Sequence, residues 1–519
     1  MWYIAVFALY LLFIVYTSLA SLRKVESLSD FTTGGHRMGL MIGVGTSVAT
    51  WVSVASVMGV PGYLYSSGVA AIIGWVAGWF FGTALIPIVA YKVRRPKSPA
   101  RTFPEFIQFR YEPLKKKSHL RTLVAALMVV GYFIFTHLQV VGFGIVFSSI
   151  TGIKYEIAIF AFLIFLIFTS IGGFWSVAVT DSVNTVLIII GVVLGAFAVL
   201  SATGGFANIF DTLATTTAPT IEGGESLSKG ILLTPAGTFG LGALFSIFIS
   251  NSLGAAVSPH WVSRMLAPKS VKVAIMQMMI SMVLLVAIFV PLIIIGLGAK
   301  TLIPSMPIGQ TTDYIMPMVI MNFAHPLVGA MTLVALCAAA VSTANSMLLH
   351  AGTSLYYDIY QNIFKNKKKS EKNSRNNLRL TVYILGVLAV LSAVKPPVLL
   401  AMGFTYVYAG FGAAFFFVVY LGLYWKRMNA LAAYTNIIVG TSVFIIAKMM
   451  GATNPFVIAL CISFVGVLIA IYVGKKPPVE AYEPYFEVEV SENTEAAIRE
   501  VRNEEIIVEK MKPAKIGNG

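Results

Sequence analysis

The sequence predicts an all-α polytopic membrane protein, and its composition and apolar runs support this fold class. The chain has 519 residues, of which 57% are hydrophobic and only 11% are charged, and its mean hydropathy is +0.83. Soluble domains contain about 25% charged residues, so a soluble chain of this length would have too few charges to cover its surface. At about 20 residues for each span, the length allows roughly 12 to 14 transmembrane helices.

Apolar runs along the chain predict thirteen spans. They are Trp2–Ala20, Gly39–Val60, Val69–Tyr91, Leu123–Ile150, Ile157–Ile171, Val179–Leu200, Phe239–Val257, Val273–Leu297, Leu327–Leu349, Leu380–Val394, Leu399–Tyr424, Ala430–Ala447 and Pro455–Val473. Because thirteen is odd, the two termini are expected on opposite sides of the membrane.

The distribution of positive charge predicts the orientation. All but five of the 37 Lys and Arg residues fall on one side of the predicted spans; the five are Lys154, Lys229, Lys300, Lys395 and Lys448. Positive residues remain on the cytoplasmic side, so we expect a multi-pass protein of the plasma membrane with its N-terminus outside and its C-terminus in the cytosol. The net charge of +15 then reflects topology, and it does not indicate a nucleic-acid partner. No obligatory protein partner is evident either.

Two spans are interrupted by small and polar residues. The second carries glycines and hydroxyls from Gly39 to Ser53 before Pro61-Gly62, and the seventh carries Gly240, Gly242 and the run 250–254. These spans begin successive five-helix blocks, and because five is odd the second block is inverted. Interrupted helices at matching positions of inverted repeats indicate a transporter's binding site. Close helix packing is the alternative, and it is our interpretation of the Gly74, Gly78 and Gly82 stripe in the third span.

This organisation predicts five segments. Residues 1–38 form a leading helix and cytoplasmic loop, 39–235 the first five-helix repeat with an outer loop, 236–428 the inverted repeat, 429–474 two trailing helices, and 475–519 a cytosolic tail. The tail contains ten of the 22 acidic residues and no run long enough to span a membrane, so we expect it to be acidic and partly disordered.

The sequence does not predict an enzyme. It has no Walker A motif, no metal-ligand spacing among its six histidines and only two cysteines, both within apolar runs. The ninth span has a sharper feature, because Ala339, Ser342 and Thr343 lie on one helix face. Two hydroxyls and a carbonyl suit a small, hard cation, and the lack of a nearby carboxylate favours a monovalent one. Alternatively, both hydroxyls bond to carbonyls of their own helix.

Four segments carry a resemblance to a known family. The run from Ala338 to Tyr360 resembles the most characteristic helix of the sodium:solute symporter family. Three loop motifs agree in order, at Thr102–Phe106, Gly172–Asp181 and Pro259–Lys272. The matches span Gly34 to Tyr360, so this chain is identified as a member on a large part of its length.

The resemblance implies a five-plus-five inverted-repeat core with one extra leading helix and two trailing ones, and Na⁺ as the coupling ion. Matched residue by residue, the carbonyls of Ala49, Val52 and Ala339 and the hydroxyls of Ser342 and Thr343 would bind the ion.

The resemblance also places Asp181 near the inner mouth of the ion path. There we expect it to attract sodium as the ion leaves. The competing role is a helix N-cap.

One residue departs from part of the family. Proline-type members have an aspartate where this chain has Trp51, whereas pantothenate and monocarboxylate members often have an aromatic residue. By location, solute contacts are expected from Trp51, Ser53, Gln139, Asn251 and Ser252. No Lys or Arg falls within the predicted spans, so a carboxylate would depend on helix N-termini and backbone N–H groups.

The predicted function is therefore sodium-coupled secondary symport that imports a small organic solute by alternating access. The solute is an organic acid such as a monocarboxylate or pantothenate, or an amino acid such as proline. Two alternatives are a proton-coupled or uncoupled facilitator of the same fold and a transporter-like membrane sensor.

Overall fold

The fold is almost entirely helical, as predicted. The computed structural model describes residues 2–21, 28–97, 99–170, 173–219, 226–308, 310–364, 371–395 and 400–502. A two-stranded antiparallel hairpin, β1 (Ala218–Pro219) and β2 (Ser226–Leu227), is its only sheet within these ranges.

The helices of the first half surround the broken second span. They are α1 (Trp2–Ser21), α2 (Leu28–Thr33), α3 (Leu40–Trp51), α4 (Val60–Ser67), α5 (Gly78–Val93), α6 (Phe103–Tyr111), α7 (His119–Thr151), α8 (Tyr155–Ala158), α9 (Phe162–Ser170), α10 (Gly173–Thr203) and α11 (Phe206–Thr215). The π-helical turns Ala55–Gly59 and Ile72–Ala77 precede α4 and α5.

The second half contains the remaining twelve helices. They are α12 (Leu241–Val257), α13 (Pro259–Leu266), α14 (Val271–Leu302), α15 (Ile315–Phe323), α16 (Pro326–Thr353), α17 (Glu371–Ser392), α18 (Leu400–Tyr424), α19 (Ala430–Thr435), α20 (Thr441–Met449), α21 (Pro455–Val473), α22 (Val479–Phe486) and α23 (Glu492–Arg502). The π-helical segments Ser354–Gln361 and Asn436–Gly440 continue α16 and α19. Short 3₁₀ turns lie at Gly34–His36, Ile159–Ala161, Ile231–Leu233 and Thr312–Tyr314.

The structure contains ten or eleven of the thirteen predicted spans as long apolar helices within its described residues. Among the described residues, ten helices are long and apolar enough to cross a membrane, and the bent pair Leu40–Trp51 and Ala55–Ser67 makes an eleventh. The fifth predicted span corresponds to the shorter apolar helix Tyr155–Leu166. The tenth corresponds to α17, whose first half is polar. The total of thirteen stays a prediction.

The second span is interrupted, as the sequence predicts, but the predicted interruption of the seventh span is wrong. Gly242 and residues 250–254 lie within the unbroken helix α12, Leu241–Val257, and Gly240 directly precedes it. In the second span, the second half is bent by 51° away from the direction of the first. The break itself is the non-helical pair Val52-Ser53. Pro61 at the start of α4 lacks a backbone N–H and therefore leaves a carbonyl of the preceding turn without its helical partner. Pro61 therefore affects the turn that follows the break, at Val57, whereas Gln139 of α7 binds the N–H of Val54 at the break itself.

The glycine stripe of the third span serves packing, as interpreted from the sequence. A Cβ atom on Gly82 would lie 2.3 Å from the carbonyl oxygen of Ser252, and one on Gly78 would lie 3.0 Å from that of Phe248. A Cβ on Gly74 would meet the side chain of Leu244 at 3.0 Å. All three contacts are with α12, so the small residues bring the third and seventh spans into direct backbone contact.

The tail differs from the predicted disordered extension. Residues 475–502 contain α22 and α23, whereas 503–519 lie outside the described residues. Glu483 accepts hydrogen bonds from the hydroxyls of Thr494 and Ser491 and from the backbone N–H of Ser491. These bonds lower the pKa of the Glu483 carboxyl. An acidic segment is expected to be disordered because it has little apolar surface to bury. Residues 479–502 are ordered here because they pack on the rest of the protein.

The docked tail pairs two of its acids with basic residues of the loops on either side of α6. Glu495 lies 3.1 Å from Lys97, and Glu500 lies 2.9 Å from Lys116. Tyr485 is buried, with its ring 5.6 Å from that of Phe106 in α6. The tail therefore bridges the end of the third span, the loop helix α6 and the start of the fourth span.

Reversing one tail charge should loosen this packing. Because exposed ion pairs contribute about 0.2–1 kcal/mol each, Lys97→Glu should speed amide hydrogen exchange in residues 479–502 by roughly two- to fivefold. The double variant Lys97→Glu with Glu495→Lys should restore it. Lys269→Glu, an inner-loop change outside these tail contacts, is the control. Equal exchange in all four proteins would contradict the docking.

Candidate functional site

Five oxygen atoms of the second and ninth spans converge as the resemblance implied. The hydroxyl of Ser342 lies 3.1 Å from the carbonyl oxygen of Ala49 and 3.2 Å from that of Ala339. The hydroxyl of Thr343 lies 3.4 Å from the carbonyl oxygens of both Ala49 and Val52. All five residues are fully or almost fully buried, so these oxygens face each other in the protein interior and do not face lipid.

The spacing of these oxygens fits a small cation. Calcium, whose radius is close to that of sodium, binds oxygens at about 2.3–2.6 Å, and two oxygens at right angles around such an ion lie roughly 3.2–3.7 Å apart. The four separations of 3.1–3.4 Å match or fall just short of that range. Each hydroxyl has one hydrogen, so it cannot satisfy two carbonyls at once. A cation among them would satisfy all five oxygens.

The carbonyls of Ala49 and Val52 are free for this role because the helix ends between them. The backbone N–H of Val54 donates to Oε1 of Gln139 at 3.2 Å, and that of Ala55 donates to the hydroxyl of Ser53. Among the described residues, no backbone N–H donates to the carbonyls of Ala49 or Val52. In a continuous helix these two carbonyls would accept from the N–H groups of Ser53 and Ser56. Ser56 donates instead to the carbonyl of Ser53 at 2.9 Å, which leaves both carbonyls to the hydroxyls of α16.

Asp181 of α10 contacts α16 at Ser346, which lies one helical turn beyond Ser342. Its Oδ2 accepts from the hydroxyl of Thr46 at 2.7 Å and from that of Ser346 at 3.4 Å. Nη2 of Arg264 lies 3.5 Å from the same oxygen and 2.8 Å from the hydroxyl of Ser346. Arg264 also donates to the hydroxyl of Thr50. Both charged side chains are about 99% buried, and together these contacts join α3, α10, α13 and α16.

Two expectations from the sequence are wrong here. Asp181 is not a helix N-cap, since α10 begins at Gly173 and the aspartate lies well inside it. The protein also has a cation within a span, because Arg264 belongs to the continuous apolar helix pair Leu241–Leu266. The sequence placed it in a loop because it follows the apolar run, whereas the short helix α13 carries it back into the bundle.

Three of the five predicted solute residues surround the break. The ring of Trp51 lies 4.9 Å from that of Trp261, and Ser53 is 6% exposed. Gln139 of α7 accepts from Val54 through Oε1, while its Nε2 is buried and has no hydrogen-bond partner in the described structure. Gln139 therefore has a free donor beside the broken helix.

The other two predicted solute residues have structural partners. Asn251 is fully buried; its Oδ1 accepts from Nε1 of Trp79 at 3.0 Å, and its Nδ2 donates to the carbonyl of Gly74 at 3.3 Å. The hydroxyl of Ser252 donates to the carbonyl of Phe248 in its own helix at 2.7 Å. Asn251 therefore links α12 to the third span, and Ser252 bonds within its own helix. Neither side chain has a free donor for a solute.

Sequence reasoning did not assign a role to Trp261. Its ring stacks near Trp51, and its Nε1 is a buried donor without a partner among the described residues. Trp261 belongs to the motif Pro259–Lys272. A tryptophan among apolar residues does not by itself indicate a binding role. Only the position of α13 shows that it faces the break.

The sequence analysis does not predict a second cluster, which joins residues of two of its motifs to Arg121. The hydroxyl of Thr102 and Nε of Arg121 both donate to Oδ1 of Asp358, at 2.8 and 2.7 Å. The hydroxyl of Tyr357 donates to Glu105 at 2.9 Å. These bonds fix the loop helix α6 to the end of the ninth span. Their sequence separation of about 250 residues hides the pairing from any local pattern.

Comparisons with known proteins agree with this geometry. The model of the sodium:solute symporter family matches residues 31–440. A sodium/pantothenate symporter of Haemophilus influenzae is 25% identical over 466 residues, which are 87% of this chain and 91% of the relative. A sodium/proline symporter of Staphylococcus aureus is 27% identical over 455 residues, 85% of this chain and 84% of the relative.

Solved structures show the same fold at lower identity. A Na⁺-coupled sialic acid symporter in a substrate-bound outward-open state has a TM-score of 0.75 at 20% identity. The match covers 92% of this chain and 98% of the symporter chain. A nucleobase-cation-symport-1 family transporter in a closed conformation has a TM-score of 0.53 at 15% identity, with coverages of 90% and 97%. Since the family match extends over most of its length, the chain belongs to the sodium:solute symporter family and couples the movement of a small solute to that of sodium.

Proposed function

We propose that this protein imports a small organic acid or amino acid by alternating access in the plasma membrane, with its N-terminus outside and its C-terminus in the cytosol. One sodium ion would be held by the carbonyls of Ala49, Val52 and Ala339 and the hydroxyls of Ser342 and Thr343. The observation that carries this proposal is the convergence of these five oxygens at 3.1–3.4 Å across the break.

The sodium site and the solute site share the broken helix. Ala49 and Val52 supply sodium ligands, while Trp51 and Ser53 alternate with them on the other side of the chain. A sodium ion would hold the two carbonyls in place and thereby fix the position of Trp51 and Ser53. This shared backbone supports coupling, because the solute surface is complete only when the ion has ordered the break.

Two unpaired donors indicate the chemistry of the solute. A buried polar group without a partner costs about 1–3 kcal/mol, so Nε2 of Gln139 and Nε1 of Trp261 favour a ligand that brings acceptor oxygens. Carboxylates and carbonyls have such oxygens. The aromatic surface of Trp51 and Trp261 suits an apolar or ring-shaped body. We therefore propose a monocarboxylate or pantothenate, with proline as the second candidate, since one relative is a sodium/proline symporter.

In this proposal Asp181 and Arg264 control the inner route of the sodium ion. Sodium leaving Ser342 and Thr343 towards the cytosol would meet Ser346 and Thr50 next, and both hydroxyls accept from Arg264. A guanidinium at that point repels a departing cation and holds four helices together. Inward opening therefore requires that Arg264 leave these hydroxyls, after which Asp181 would attract the ion.

Removing the two hydroxyls should abolish coupling through this site. Ser342→Ala with Thr343→Val takes two of the five proposed ligands, and we expect the apparent sodium affinity to fall at least about tenfold, a loss of roughly 1.4 kcal/mol. Uptake of labelled pantothenate, proline and a set of monocarboxylates into proteoliposomes, with and without a sodium gradient, measures this. Sodium-dependent thermal stabilisation in detergent gives a readout that needs no solute.

The matched control is Thr332→Val on the same helix, whose hydroxyl bonds to the carbonyls of Gly191 and Val328 away from the break. It should keep the sodium response. If the double variant kept wild-type sodium dependence, the proposed ligand set would be wrong. If uptake of every solute followed a proton gradient and ignored sodium, the coupling itself would be wrong.

Asp181 and Arg264 should behave as a coupled pair. Asp181→Asn leaves a buried guanidinium without its counter-ion, and Arg264→Gln leaves a buried carboxylate; either change should cost about 3–5 kcal/mol of stability. The double variant should recover part of that loss, with a coupling energy of roughly 1–3 kcal/mol. Unfolding of the four purified proteins in detergent measures it.

Sodium affinity gives the functional readout of the same variants. Arg264→Gln removes the positive charge beside Thr50 and Ser346, so apparent sodium affinity should rise while the uptake rate falls. Additive stability losses together with unchanged sodium affinity would show that the pair does not act on the ion route.

A further inference from the structure

A cleft lies on the side of the protein that is proposed to face outwards. This outer cleft lies between α12, α18 and α20 and has a volume of about 520 Å³. Ligand pockets for small molecules have about 300–1,000 Å³. Its walls include Ser246 and Ser250 of α12, Thr405 and Tyr406 of α18, and Lys448 at the end of α20. Nothing in the symport mechanism proposed above uses Lys448.

Lys448 is a cation without a counter-ion. Its Nζ donates to the hydroxyl of Tyr406 at 2.9 Å and lies 4.2 Å from the centre of that ring. No carboxylate of the described residues lies within ion-pair distance of it. A phenol hydroxyl accepts one hydrogen bond and leaves the positive charge uncompensated. The cleft is therefore positive at its mouth.

The deeper wall of the outer cleft has free hydroxyls and aromatic surface. Ser246 and Ser250 are 8% and 4% exposed, and within the described part of the chain their hydroxyls form no hydrogen bond. The rings of Tyr63, Phe239 and Phe444 also line the cleft. A cation, two hydroxyls and three aromatic rings match a ligand that has one carboxylate and an apolar body.

The cleft ends beside the candidate solute site. Ser250 precedes Asn251, whose Oδ1 accepts from Trp79 and, at 3.4 Å, from Thr405. Nε1 of Trp75 donates to Thr405 at 3.0 Å, and Trp75 stacks on Tyr63 with 4.3 Å between ring centres. These bonds separate the cleft from the broken helix by one layer of side chains.

We propose that the outer cleft is a binding site for monocarboxylates, in which Lys448 pairs with the carboxylate and the hydroxyls of Ser246 and Ser250 donate to it. This proposal rests on the proposed function, in that the cleft would hold an acidic solute before it passes the layer formed by Trp75, Thr405 and Asn251. It also defines the solute class, because a site with one uncompensated cation prefers a monoanion to a neutral or zwitterionic molecule.

The test uses benzoate as a compact apolar monocarboxylate and benzamide as its neutral counterpart. Binding of each to the full-length protein in nanodiscs of zwitterionic lipid is measured by saturation-transfer NMR. We expect benzoate to bind the wild type and to bind Lys448→Gln about fivefold more weakly, as for an exposed ion pair. Lys448→Arg should restore binding. Lys154→Gln, which removes an outer lysine remote from the cleft, should have no effect.

Further arms separate this proposal from the proposed function. Ser342→Ala with Thr343→Val should lose the sodium response and keep benzoate binding, so each result stands alone. Sodium-dependent thermal stabilisation of Lys448→Gln shows that this variant is folded. The proposal is overturned if benzamide binds as well as benzoate, or if Lys448→Gln binds benzoate like the wild type. It is also overturned if phosphatidylglycerol in the nanodisc displaces benzoate, since the cleft would then hold a lipid headgroup.

Discussion

The structure depends on one interrupted helix whose carbonyls are released between Ala49 and Val52. A continuous helix would use each of these oxygens for a backbone bond four residues on. Here Ser56, four residues after Val52, donates instead to the carbonyl of Ser53. Gln139 and the hydroxyl of Ser53 accept from the N–H groups of Val54 and Ala55, so these two donors at the break are also paired. Inside a membrane an irregular backbone is tolerated only where it is buried in protein or lines a cavity. Every residue from Val44 to Tyr65 is accordingly buried.

The packing around the break shows why it holds its shape. Gly142 of α7 lies so close to Val54 that a Cβ atom there would meet the valine side chain at 2.5 Å. Any larger residue would push α7 away and take Gln139 out of reach of the Val54 N–H. On the opposite side, the rings of Trp51 and Trp261 are in contact. The helix is therefore broken by its own sequence and is held in position by residues of the fourth and seventh spans.

The sequence was sufficient for features that depend on local spacing and insufficient for those that depend on distant contacts. The shared face of Ala339, Ser342 and Thr343 follows from helical periodicity, and glycines and hydroxyls revealed the interrupted span. Arg264 could not be placed, because a charge that follows an apolar run is normally a loop residue, and only the turn at Ser258-Pro259 returns it to the bundle. The docked tail was missed for a related reason, since its stability comes from basic residues more than 300 positions away.

The charges along the route decide what one sodium ion can achieve. A tenfold sodium gradient supplies about 1.4 kcal/mol, and 100 mV adds about 2.3 kcal/mol for each charge moved. One sodium with a neutral or zwitterionic solute therefore gives ~3.7 kcal/mol, or roughly 500-fold accumulation. One sodium with a monoanion moves no net charge and gives about tenfold accumulation.

Arg264 and Asp181 neutralise each other and move with the protein, so they do not change this balance. If Lys448 binds a carboxylate in the outer cleft as proposed, it raises capture of an anion without adding to the driving force, because it lies outside the proposed sodium site. A protein that selects a monocarboxylate there and carries one sodium is thus suited to scavenging at low concentration, where the capture rate matters more than the final gradient.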